Sequence, residues 1–485
     1  MGIDIGTGSS KGVITDIEGR ILAQAAIPHG MDMPHPGWYE QDADRIWWGD
    51  FVKLCRMLLN DFEMSAEHIK SVGISTIAPC VLPVDKTGTP LRAGIMYGID
   101  TRAGKEITEI EDLIGKKEIF DMTGQDLSSQ SCCPKILWLK KNEPEIWAKT
   151  DKILTAAGYL VYKLTGRYTL DIYDAIGYAP IFNIRDKCWD PTYREAILDY
   201  KLLPELLWSS EEAGTITATA AELTGLAAGT AVITGTADAA SEAVGAGVSR
   251  TGDMMLMYGS SNFFILRTEQ LTPLRSLWAS NFIDEGSSVL TGGMSTVGSL
   301  FKWFTETFPG RSFEEWEKLA AESPAGAGGI TVLPYFAGER TPLNAPDARG
   351  SLFGLTLQSK PGDIWKALQE SIGFGIRHNI EVMRAEGIEA SRIMAIGGAS
   401  ESMSLLQTIS NVTGITQYIP DKNLGACYGD AFLAAVGAGY FESSAESDRW
   451  VGISGEVKPD RKLSDIYYER YMVFRDLYES TEHLN

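Results

Sequence analysis

The feature of this sequence that most restricts its fold is a strand, turn and strand pattern that occurs twice. Residues 2–16 give an apolar strand, a turn rich in glycine, serine and threonine, and a second strand. Residues 254–266 repeat that order around a turn at residues 259–262. This weak internal repeat predicts two domains that each begin with a β-hairpin, with residues 249–253 as the best candidate for the boundary. The length of 485 residues agrees, because a single hydrophobic core rarely extends beyond about 250–300 residues.

The first turn has the composition of a phosphate-binding loop. Gly6 and Gly8 permit tight or positive-φ backbone, and hydroxyl groups with exposed amides suit an anion. The turn is not a dinucleotide fingerprint, because Lys11 stands where a third glycine is required. The alternative is a plain hairpin in which Lys11 is a solvated partner of Asp4. A carboxylate such as Asp4 inside so short a strand favours a rim position or a metal site.

A single carboxylate, Asp238, stands where an apolar strand is expected to turn into a helix. The strand is predicted at residues 231–234, and the small residues at 242–248 are compatible with a tightly packed helix. A carboxylate at such a junction can face a cleft. The alternative is a helix N-cap, a position that favours aspartate. This segment alone favours the cap, and the rest of the chain reverses that preference.

A second strand-to-helix junction lies in the later part of the chain. The strand predicted at residues 392–396 is followed by Gly397 and Gly398 and by a helix that begins at Ser400 or Ser402. Two glycines at a helix N-terminus allow a nucleotide to approach the backbone closely. An ordinary βα turn is the alternative interpretation.

Most of residues 104–225 are predicted to be helical, because apolar residues recur there at helical spacing. Asp42 is predicted to cap an earlier helix that carries an apolar face. A last helix is expected at about residues 463–481, where aromatic residues form a stripe that we interpret as core.

The acidic charge of the chain excludes some partners. The formal net charge is -21, whereas nucleic acids and anionic membranes bind to basic surfaces. A phosphate-bearing ligand must therefore be held by local amides, a metal or a few cations. No apolar run approaches the roughly 18 residues of a membrane span, so no membrane partner is expected.

The cysteines are typical of a cytoplasmic protein. No Cys-x-x-Cys pair and no zinc spacing occurs, so reduced and mostly buried thiols are expected. The six cysteines are Cys55, Cys80, Cys132, Cys133, Cys188 and Cys427.

Taken together, these segments resemble the FGGY family of carbohydrate kinases over nearly the whole chain, and most closely its xylulokinase members. One such mark would be weak, but their order and spacing are specific to the family. The marks are residues 2–8, 35–38, 40–42, Asp171, Asp174 with Ala175, residues 235–245, 258–261, 338–342, 350–370, 397–399 and 425–439.

The resemblance implies an α/β protein of two ribonuclease-H-like, actin-like ATPase domains with an active-site cleft between them. Residues 1–249 would form the N-terminal domain, which binds sugar and carries the catalytic base, and residues 250–485 the C-terminal, ATP-binding domain. The implied reaction transfers the γ-phosphate of ATP to a hydroxyl of a small carbohydrate, with a ketopentose as the expected acceptor. ATP and Mg²⁺ are the implied cofactors, and a homodimer is compatible with the family.

The resemblance also implies roles for individual residues. Asp238 resembles the catalytic base, which the helix dipole should keep ionised at neutral pH, and Asp4 the carboxylate that helps to hold magnesium. The residues that resemble the ATP site are Gly6, Thr7, Gly8, Ser9 and Ser10 in a first phosphate loop, Gly259, Ser260 and Ser261 in a second, and Gly397, Gly398, Ala399 and Ser402 around adenosine.

The sequence departs from the family where the acceptor is selected. Ile77, Ala78 and Pro79 stand where xylulokinases usually carry Met-His-Gly, so the histidine that would meet the sugar is absent. Asp100 is retained in an altered neighbouring run and, with these three residues and Asp238, is expected to bind the substrate. Gln369 replaces a residue that is usually apolar.

Other functions remain compatible with these patterns. Within the kinases, the acceptor can be a tetrose, another polyol or glycerol. An actin-like or chaperone-like ATPase would use the same fold as a clamp, although no substrate-binding domain follows the ATPase pattern. A sugar sensor without catalysis is disfavoured, because both Asp4 and Asp238 are present.

Overall fold

The computed structural model describes residues 1–62, 65–193 and 196–484. These residues form two α/β halves, each built on a mixed sheet of seven strands in the described part of the chain. A cavity between the halves is lined by residues of both.

The strands of the first half are β1 (Gly2–Ile5), β2 (Ser9–Thr15), β3 (Ile21–Pro28), β4 (Glu40–Gln41), β5 (Ser71–Thr76), β6 (Leu82–Val84), β7 (Gly94–Ile95), β8 (Lys152–Leu154), β9 (Thr169–Asp171), β10 (Phe182–Asn183), β11 (Cys188–Trp189), β12 (Glu205–Leu207), β13 (Glu212–Thr215), β14 (Ala231–Ile233) and β15 (Thr236–Ala237). Its helices are α1 (Gly49–Asp61), α2 (Gly104–Ile114), α3 (Lys116–Thr123), α4 (Cys132–Asn142), α5 (Pro144–Trp147), α6 (Ala156–Thr165), α7 (Ile172–Ala175), α8 (Ala218–Thr224) and α9 (Asp238–Gly245).

The strands of the second half are β16 (Asp253–Tyr258), β17 (Asn262–Thr268), β18 (Trp278–Asn281), β19 (Ser288–Gly292), β20 (Thr331–Leu333), β21 (Ser351–Phe353), β22 (Arg392–Ile396), β23 (Gln417–Pro420) and β24 (Ile453–Val457). Its helices are α10 (Gly298–Thr307), α11 (Phe313–Ala321), α12 (Pro361–Ala385), α13 (Met403–Thr413), α14 (Ala426–Gly437) and α15 (Ser464–Thr481).

The opening hairpin lies at the centre of the first sheet. Strand β1 pairs antiparallel with β2, which places Asp4 opposite Lys11. On its other side β1 pairs parallel with β5, which places Asp4 beside Ser75. The sheet order is β13–β14–β5–β1–β2–β3, with β15 added at the end of β5. The carboxyl ends of β1, β5 and β15 therefore meet at one edge, beside the start of α9.

The second sheet repeats this arrangement. Strand β16 pairs antiparallel with β17 and parallel with β22, and β22 pairs parallel with β23. The sheet order is β18–β19–β17–β16–β22–β23–β24. The internal repeat predicted from the two turns is therefore confirmed as a repeat of sheet topology.

Helix α14 belongs to the second half by sequence but packs on the first sheet and on α9. The approach is so close that a Cβ on Gly73 of β5 would lie 2.1 Å from the carbonyl oxygen of Asp430. A Cβ on Gly429 would lie 1.8 Å from the carbonyl oxygen of Ser241 on α9. Glycine at these positions allows direct contact between the backbones. The side chain of Asp430 on α14 consequently reaches Ser75 on β5 and Ser241 on α9.

The local predictions for helices are largely confirmed. Asp42 accepts a hydrogen bond from the backbone N–H of Arg45 at 2.8 Å and caps the helical segment before α1. Ser402 caps α13, and the aromatic stripe of α15 is buried at Tyr467, Tyr471 and Phe474. Residues 104–225 contain helices α2 to α8, but also the short strands β8 to β13. The apolar spacing missed these strands, because two to four residues are too few to establish a period.

None of the helices in the described ranges combines the length and the apolar character that a membrane span requires.

Candidate active site

A cavity of about 350 Å³ lies between the two sheets. Loops at the carboxyl ends of strands line one wall, which is where open α/β sheets usually bind ligands. The lining residues used below are Ile77, Ala78, Pro79, Tyr97, Gln125, Gln130, Asp174 and Asp238 from the first half and Ser261, Trp278 and Arg340 from the second.

Asp238 is the first residue of α9 and lines this cavity. Ala237 is the N-cap residue, so the alternative prediction that Asp238 caps the helix is wrong. One carboxylate oxygen accepts a hydrogen bond from the backbone N–H of Ala239 at 2.7 Å, which fixes the side chain. Burial raises the pKa of Asp238 to about 6, whereas the bond from Ala239 acts in the opposite direction. The carboxylate is therefore mostly ionised at neutral pH and is basic enough to accept a proton.

A serine hydroxyl joins Asp4 to a carboxylate that the sequence did not single out. Ser75 Oγ lies 3.2 Å from Asp4 Oδ1 and 2.7 Å from Asp430 Oδ2. On its other side Asp430 accepts a hydrogen bond of 2.5 Å from Ser241 Oγ. Asp430 reaches this position only because α14 packs on the first sheet, so no local pattern could have revealed it.

The carboxylates at this edge are crowded and buried. Burial raises the pKa of Asp430 to about 8 and that of Glu242 to about 7, with the charge of Asp238 adding to both shifts. Burial and the charges of Asp238 and Asp430 raise the pKa of Asp4 well above its usual range. Lys11 is the cation that acts against these shifts at Asp4 and Glu242.

These residues fit a bound magnesium ion. Mg²⁺ prefers hard oxygen ligands and commonly binds through one or two carboxylates, with phosphate and water oxygens completing its shell. Among the described residues, no three His, Cys, Asp or Glu side chains are arranged to hold a metal by themselves. Asp4, as one carboxylate of this buried cluster, matches the sparse protein ligation that Mg²⁺ accepts, and a divalent charge would offset the crowding.

The first glycine turn lies between β1 and β2. Neither Gly6 nor Gly8 has the positive φ that the sequence allowed for. A Cβ on Gly6 would lie 3.0 Å from the carbonyl oxygen of Ser9, whereas one on Gly8 would meet nothing within 4 Å, so the backbone at Gly8 is open to a ligand. Thr7 Oγ1 lies 3.3 Å from the hydroxyl of Tyr97, which links the turn to the cavity wall. Ser10 is buried and donates a hydrogen bond to Asp50, so its hydroxyl points away from the turn.

The second turn is held by backbone hydrogen bonds from residues at the start of α10. The N–H of Gly259 donates to the carbonyl of Ser261 at 2.9 Å. The carbonyl of Ser260 accepts from the backbone N–H groups of Val297 and Ser299, beside the start of α10. Ser261 lines the same cavity as Asp238. The turn of the second hairpin thus faces the first half across the cleft.

A second cavity, of about 680 Å³, lies beside the start of α13. Gly398, Ala399 and Ser402 line it, together with Glu317 and Ser404, which the sequence did not single out. Gly397 has φ 88°, and a Cβ there would lie 2.6 Å from the carbonyl oxygen of Tyr258. Only glycine suits this conformation and this contact.

Gln369, which stands where the family usually has an apolar residue, contacts two polar residues that line this second cavity. Its Nε2 donates hydrogen bonds to Glu317 at 3.0 Å and to Ser404 at 2.7 Å. Glu317 also accepts from Trp365 Nε1 at 3.0 Å. The polar residue at an otherwise apolar position therefore orients a carboxylate next to the cavity.

Ile77, Ala78 and Pro79 form an apolar wall of the first cavity, with a cis peptide bond between Ala78 and Pro79. Gly177 lies so close to Pro79 that a Cβ would meet the ring at 2.7 Å. The segment thus offers the cavity shape and apolar surface, with no side-chain hydrogen-bonding group.

Asp100 lies outside this cavity. Its carboxylate is fully buried. Oδ2 accepts hydrogen bonds from Arg102 at 2.7 and 3.0 Å and from the backbone N–H of Tyr39 at 2.7 Å, and Oδ1 accepts two more from Arg102. Arg102 in turn lies over the rings of Trp38 and Trp138, at 4.5 and 5.0 Å. The surroundings of Asp100 indicate a structural ion pair.

Several polar residues of the cavity escaped the sequence analysis as site residues. They are Gln125, Gln130, Asp174 and Arg340. Asp174 and Arg340 lie within segments that resemble the family, but the sequence gave no reason to assign them a role. The glutamines lie on the loop before α4, where no pattern marked them.

Comparison with protein families matches both halves of the chain. The model described as the FGGY family of carbohydrate kinases, N-terminal domain, matches residues 1–245. The model of the C-terminal domain of the same family matches residues 254–438.

Individual relatives agree along the full length. The xylulose kinase of Staphylococcus epidermidis (strain ATCC 12228 / FDA PCI 1200) is 30% identical over 490 residues, covering 100% of this chain and 97% of the relative. The xylulose kinase of Escherichia coli (strain K12) is 27% identical, with 99% and 98% covered. The glycerol kinase of Nocardia farcinica is 28% identical over 464 residues, with 91% and 90% covered. The crystal structure of xylulose kinase from Rhodospirillum rubrum matches with a TM-score of 0.92 at 26% identity, covering 100% and 99% of the two chains.

Proposed function

The chain belongs to the FGGY family of carbohydrate kinases and is an ATP-dependent sugar kinase, and on this basis we propose that its acceptor is a ketopentose of the xylulose type. Relatives named xylulose kinase that match the whole chain support this acceptor. The cavity of about 350 Å³ beside Asp238 has room for a small sugar.

The observation that carries the proposed mechanism is the position of Asp238 at the N-terminus of α9, in the same cavity as Ser261 of the second turn. A phosphoryl transfer needs an acceptor oxygen in line with the γ-phosphate and a group that accepts the hydroxyl proton. Asp238 is the proposed base: the sugar O–H proton passes to its carboxylate as the sugar oxygen bonds to phosphorus. The bond between the γ-phosphorus and the bridging oxygen breaks, and ADP leaves with that electron pair.

The two glycine turns are the proposed phosphate-binding loops. Open backbone at Gly8 and the serine-rich turn of residues 259–261 approach from opposite halves. Residues 397–399 and Ser402 are proposed to contact the adenosine through the second cavity. The position of Asp238 in the first half and of the adenosine cavity in the second supports the proposal that residues 1–249 provide most of the sugar site and residues 250–485 most of the ATP site, with both turns meeting the phosphates between them.

Asp4 is the proposed protein ligand of Mg²⁺, with Ser75 and Asp430 positioning its carboxylate. When bound, the ion would neutralise the negative charge on the phosphates of ATP, including the charge that develops in the transition state. The free thiols of the chain, most of them buried, support a reducing, cytoplasmic location.

The proposed acceptor is tested by measuring ADP release and sugar phosphate together, with ATP and Mg²⁺, over ketopentoses, tetroses, polyols and glycerol. We expect one ketopentose to give the highest kcat/KM, with one sugar phosphate formed per ADP. A higher kcat/KM for glycerol or a tetrose would contradict the proposed acceptor but would leave the assignment as a kinase intact. ADP release that no acceptor stimulates would contradict the assignment of the cavity to an acceptor and would favour a clamp-like ATPase.

A further inference from the structure

Asp174 is a buried carboxylate that faces the first cavity and has an unused oxygen. The residue is 4% exposed and lines the cavity together with Asp238. Its Oδ2 is buried and has no hydrogen-bond partner among the described residues. A buried acceptor that stays unpaired destabilises the folded protein, and a charged one does so more strongly. Such a group in a ligand cavity indicates that the ligand supplies the missing donor.

The backbone explains how Asp174 reaches the cavity. Asp171 ends β9, and its Oδ2 accepts hydrogen bonds from Ser209 at 3.0 Å and Thr236 at 2.8 Å. That pair of bonds fixes the start of the short helix α7 (Ile172–Ala175), which contains Asp174. Asp171 Oδ2 is thus held by the protein itself, although its Oδ1 is buried without a partner among the described residues. The difference between the two carboxylates is that Asp174, three residues later, lines the cavity and Asp171 does not.

The polar neighbours of Asp174 in the cavity make their hydrogen bonds to other groups, although Arg340 Nε is also buried without a partner among the described residues. Gln125 Nε2 donates to the carbonyl of Ile176 at 2.9 Å, and Gln130 Oε1 accepts from the N–H of Gly98 at 3.0 Å. One terminal nitrogen of Arg340 donates to the carbonyls of Asn262 and Met294. Within the described residues Asp174 takes part in no ion pair. The protein therefore does not satisfy this carboxylate by itself.

The apolar segment of residues 77–79, which contacts Gly177 near Asp174, gives a second reason. Ile77, Ala78 and Pro79 give the cavity no side-chain hydrogen-bonding group. An acceptor sugar must nevertheless exchange the water around its hydroxyl groups for protein partners when it enters. Asp174 is a strong acceptor with lone pairs to spare, and it lies in the same cavity as the proposed base.

We propose that Asp174 is a substrate-binding and specificity-determining residue, which accepts hydrogen bonds from one or two hydroxyl groups of the acceptor next to the one that is phosphorylated. The inference rests on the proposed kinase function and deepens it. The acceptor is accordingly a neutral polyhydroxy compound with adjacent free hydroxyls. A sugar acid should bind less well than the neutral sugar, because its carboxylate would share one buried cavity with Asp174 and Asp238, and juxtaposed like charges are unfavourable.

The first test uses the wild-type protein and a series of ketopentoses that each lack one hydroxyl. Loss of the hydroxyl that Asp174 binds should raise KM by about 10- to 100-fold, the range expected for a hydrogen bond to a charged group, with kcat within about threefold. A five-carbon aldonic acid with the same configuration at C3 and C4 should have a kcat/KM at least about 100-fold below that of the neutral sugar. Comparable kcat/KM values for the acid and the neutral sugar would overturn the inference.

The second test compares Asp174→Asn with Asp171→Asn, the same change three residues away. Asp174→Asn should raise KM for the sugar by about 10-fold or more and should shrink the penalty for the missing hydroxyl, because the bond is already weakened. Asp171→Asn should lower Tm, since it weakens the bonds from Ser209 and Thr236. Because Asp171 does not line the cavity, this variant should change the deoxy-sugar pattern less than Asp174→Asn does.

The outcomes separate this inference from the proposed function. An Asp174→Asn protein that folds, as judged by Tm, and that keeps both the KM and the deoxy-sugar pattern would overturn the role of Asp174 alone. If Asp174→Asn does not fold, the deoxy-sugar series on the wild-type protein decides, and equal KM values across the series would overturn it. If the wild-type protein transfers phosphate to no sugar or polyol, the proposed function fails and this inference fails with it.

Discussion

At the scale of single residues, two aspartates of one cavity differ in the hydrogen-bond partners of their carboxylates. Asp238 receives a backbone hydrogen bond from Ala239 and lies at a helix N-terminus, whereas Asp174 has an oxygen without a partner in the described chain. A carboxylate that is oriented and remains basic suits proton transfer, and one with spare lone pairs suits binding. Substitutions at the two positions should therefore affect different kinetic constants.

Asp238→Asn should lower kcat by about 10²- to 10⁴-fold, the usual contribution of a general base. The KM for ATP should stay within about threefold, because the amide keeps the shape of the side chain. In the wild-type protein kcat/KM should fall about tenfold per pH unit below pH 6, since burial raises the pKa of Asp238 to about 6 and protonation removes the base. Steady-state kinetics from pH 5 to 8 check both statements, and Asp174→Asn serves as the comparison. Near-native turnover of Asp238→Asn would refute its assignment as the base.

Much of the site could be predicted from the sequence at this scale, but only where the signal is local. Asp4 and Asp238 stand beside glycine-rich turns and strand ends, so their neighbours in sequence mark them. Asp430 forms a hydrogen bond with Ser75, which is 355 positions away in the chain. No pattern near Asp430 in the sequence predicts that contact. Asp100 shows the opposite case, because its position at a strand end suggested a ligand, whereas Arg102 already occupies its carboxylate.

At the scale of elements, the cleft edge is made by β1, β5, α9 and α14, each of which contributes an acidic or hydroxyl side chain. Both hairpins could be predicted, because their turns and alternating strands are contiguous. The packing of α14 on the first sheet could not, because it depends on glycines in distant elements that fit only when brought together. Gly73 and Gly429 allow contacts of this kind.

The acidic cluster at this edge should make folding stability depend on pH. Burial raises the pKa of Asp430 to about 8 and of Glu242 to about 7, so the folded state holds protons that the unfolded state has lost above about pH 4–5. The contribution of these groups to the free energy of unfolding should therefore be highest near pH 4–5 and should fall as the pH rises towards 8. The slope for one group is at most about 1.4 kcal/mol per pH unit. Urea unfolding between pH 5 and 8 measures this slope.

Asp430→Asn is the matched variant for that measurement, and its slope should be smaller than that of the wild-type protein. Added Mg²⁺ should stabilise the wild-type protein more at pH 8 than at pH 5, because protons and the cation compete for the same carboxylates. A wild-type slope that Asp430→Asn leaves unchanged would show that the cluster does not cause the dependence.

The contact between α9 and α14 predicts a strong effect of one methyl group. Gly429→Ala should destabilise the protein by at least about 1–3 kcal/mol, because its Cβ would lie 1.8 Å from the carbonyl oxygen of Ser241. Gly104→Ala is the control, since a Cβ there meets nothing within 4 Å at the start of α2. Thermal unfolding of both variants provides the measurement. Equal Tm values for the two would contradict the close packing of the helices.

At the scale of the whole molecule, the two halves are also joined on the rim of the cleft. Arg275 of the second half forms an ion pair of 2.8 Å with Asp126 of the first and lies 4.3 Å above the ring of Phe120. Nearby, Asn281 Nδ2 donates to the carbonyl of Ile184 at 2.9 Å. These contacts cross the cleft beside the loop that carries Gln125 and Gln130. They hold the halves in the arrangement that encloses the first cavity.

Asp126→Asn should weaken this connection slightly. The ion pair is about half-exposed on both sides, and such pairs contribute only about 0–1 kcal/mol, so KM for the acceptor should rise by up to about fivefold with little change in Tm. The wild-type KM should rise with ionic strength, because salt screens exposed charges, and the variant should lose that dependence. An identical salt dependence in both proteins would show that the pair does not influence closure.

The position of α14 has a consequence for how the protein is made. A ribosome releases β1 and β5 early, but the helix that covers the glycines of this sheet follows only after more than three hundred further residues have been joined. Until then the nascent first half exposes a bare backbone surface at Gly2 and Gly73, which no earlier segment fills. The first half is therefore completed after synthesis of the second is nearly finished. A gene fragment that encodes only residues 1–249 should yield an aggregation-prone product, and supplying α14 by circular permutation should rescue it.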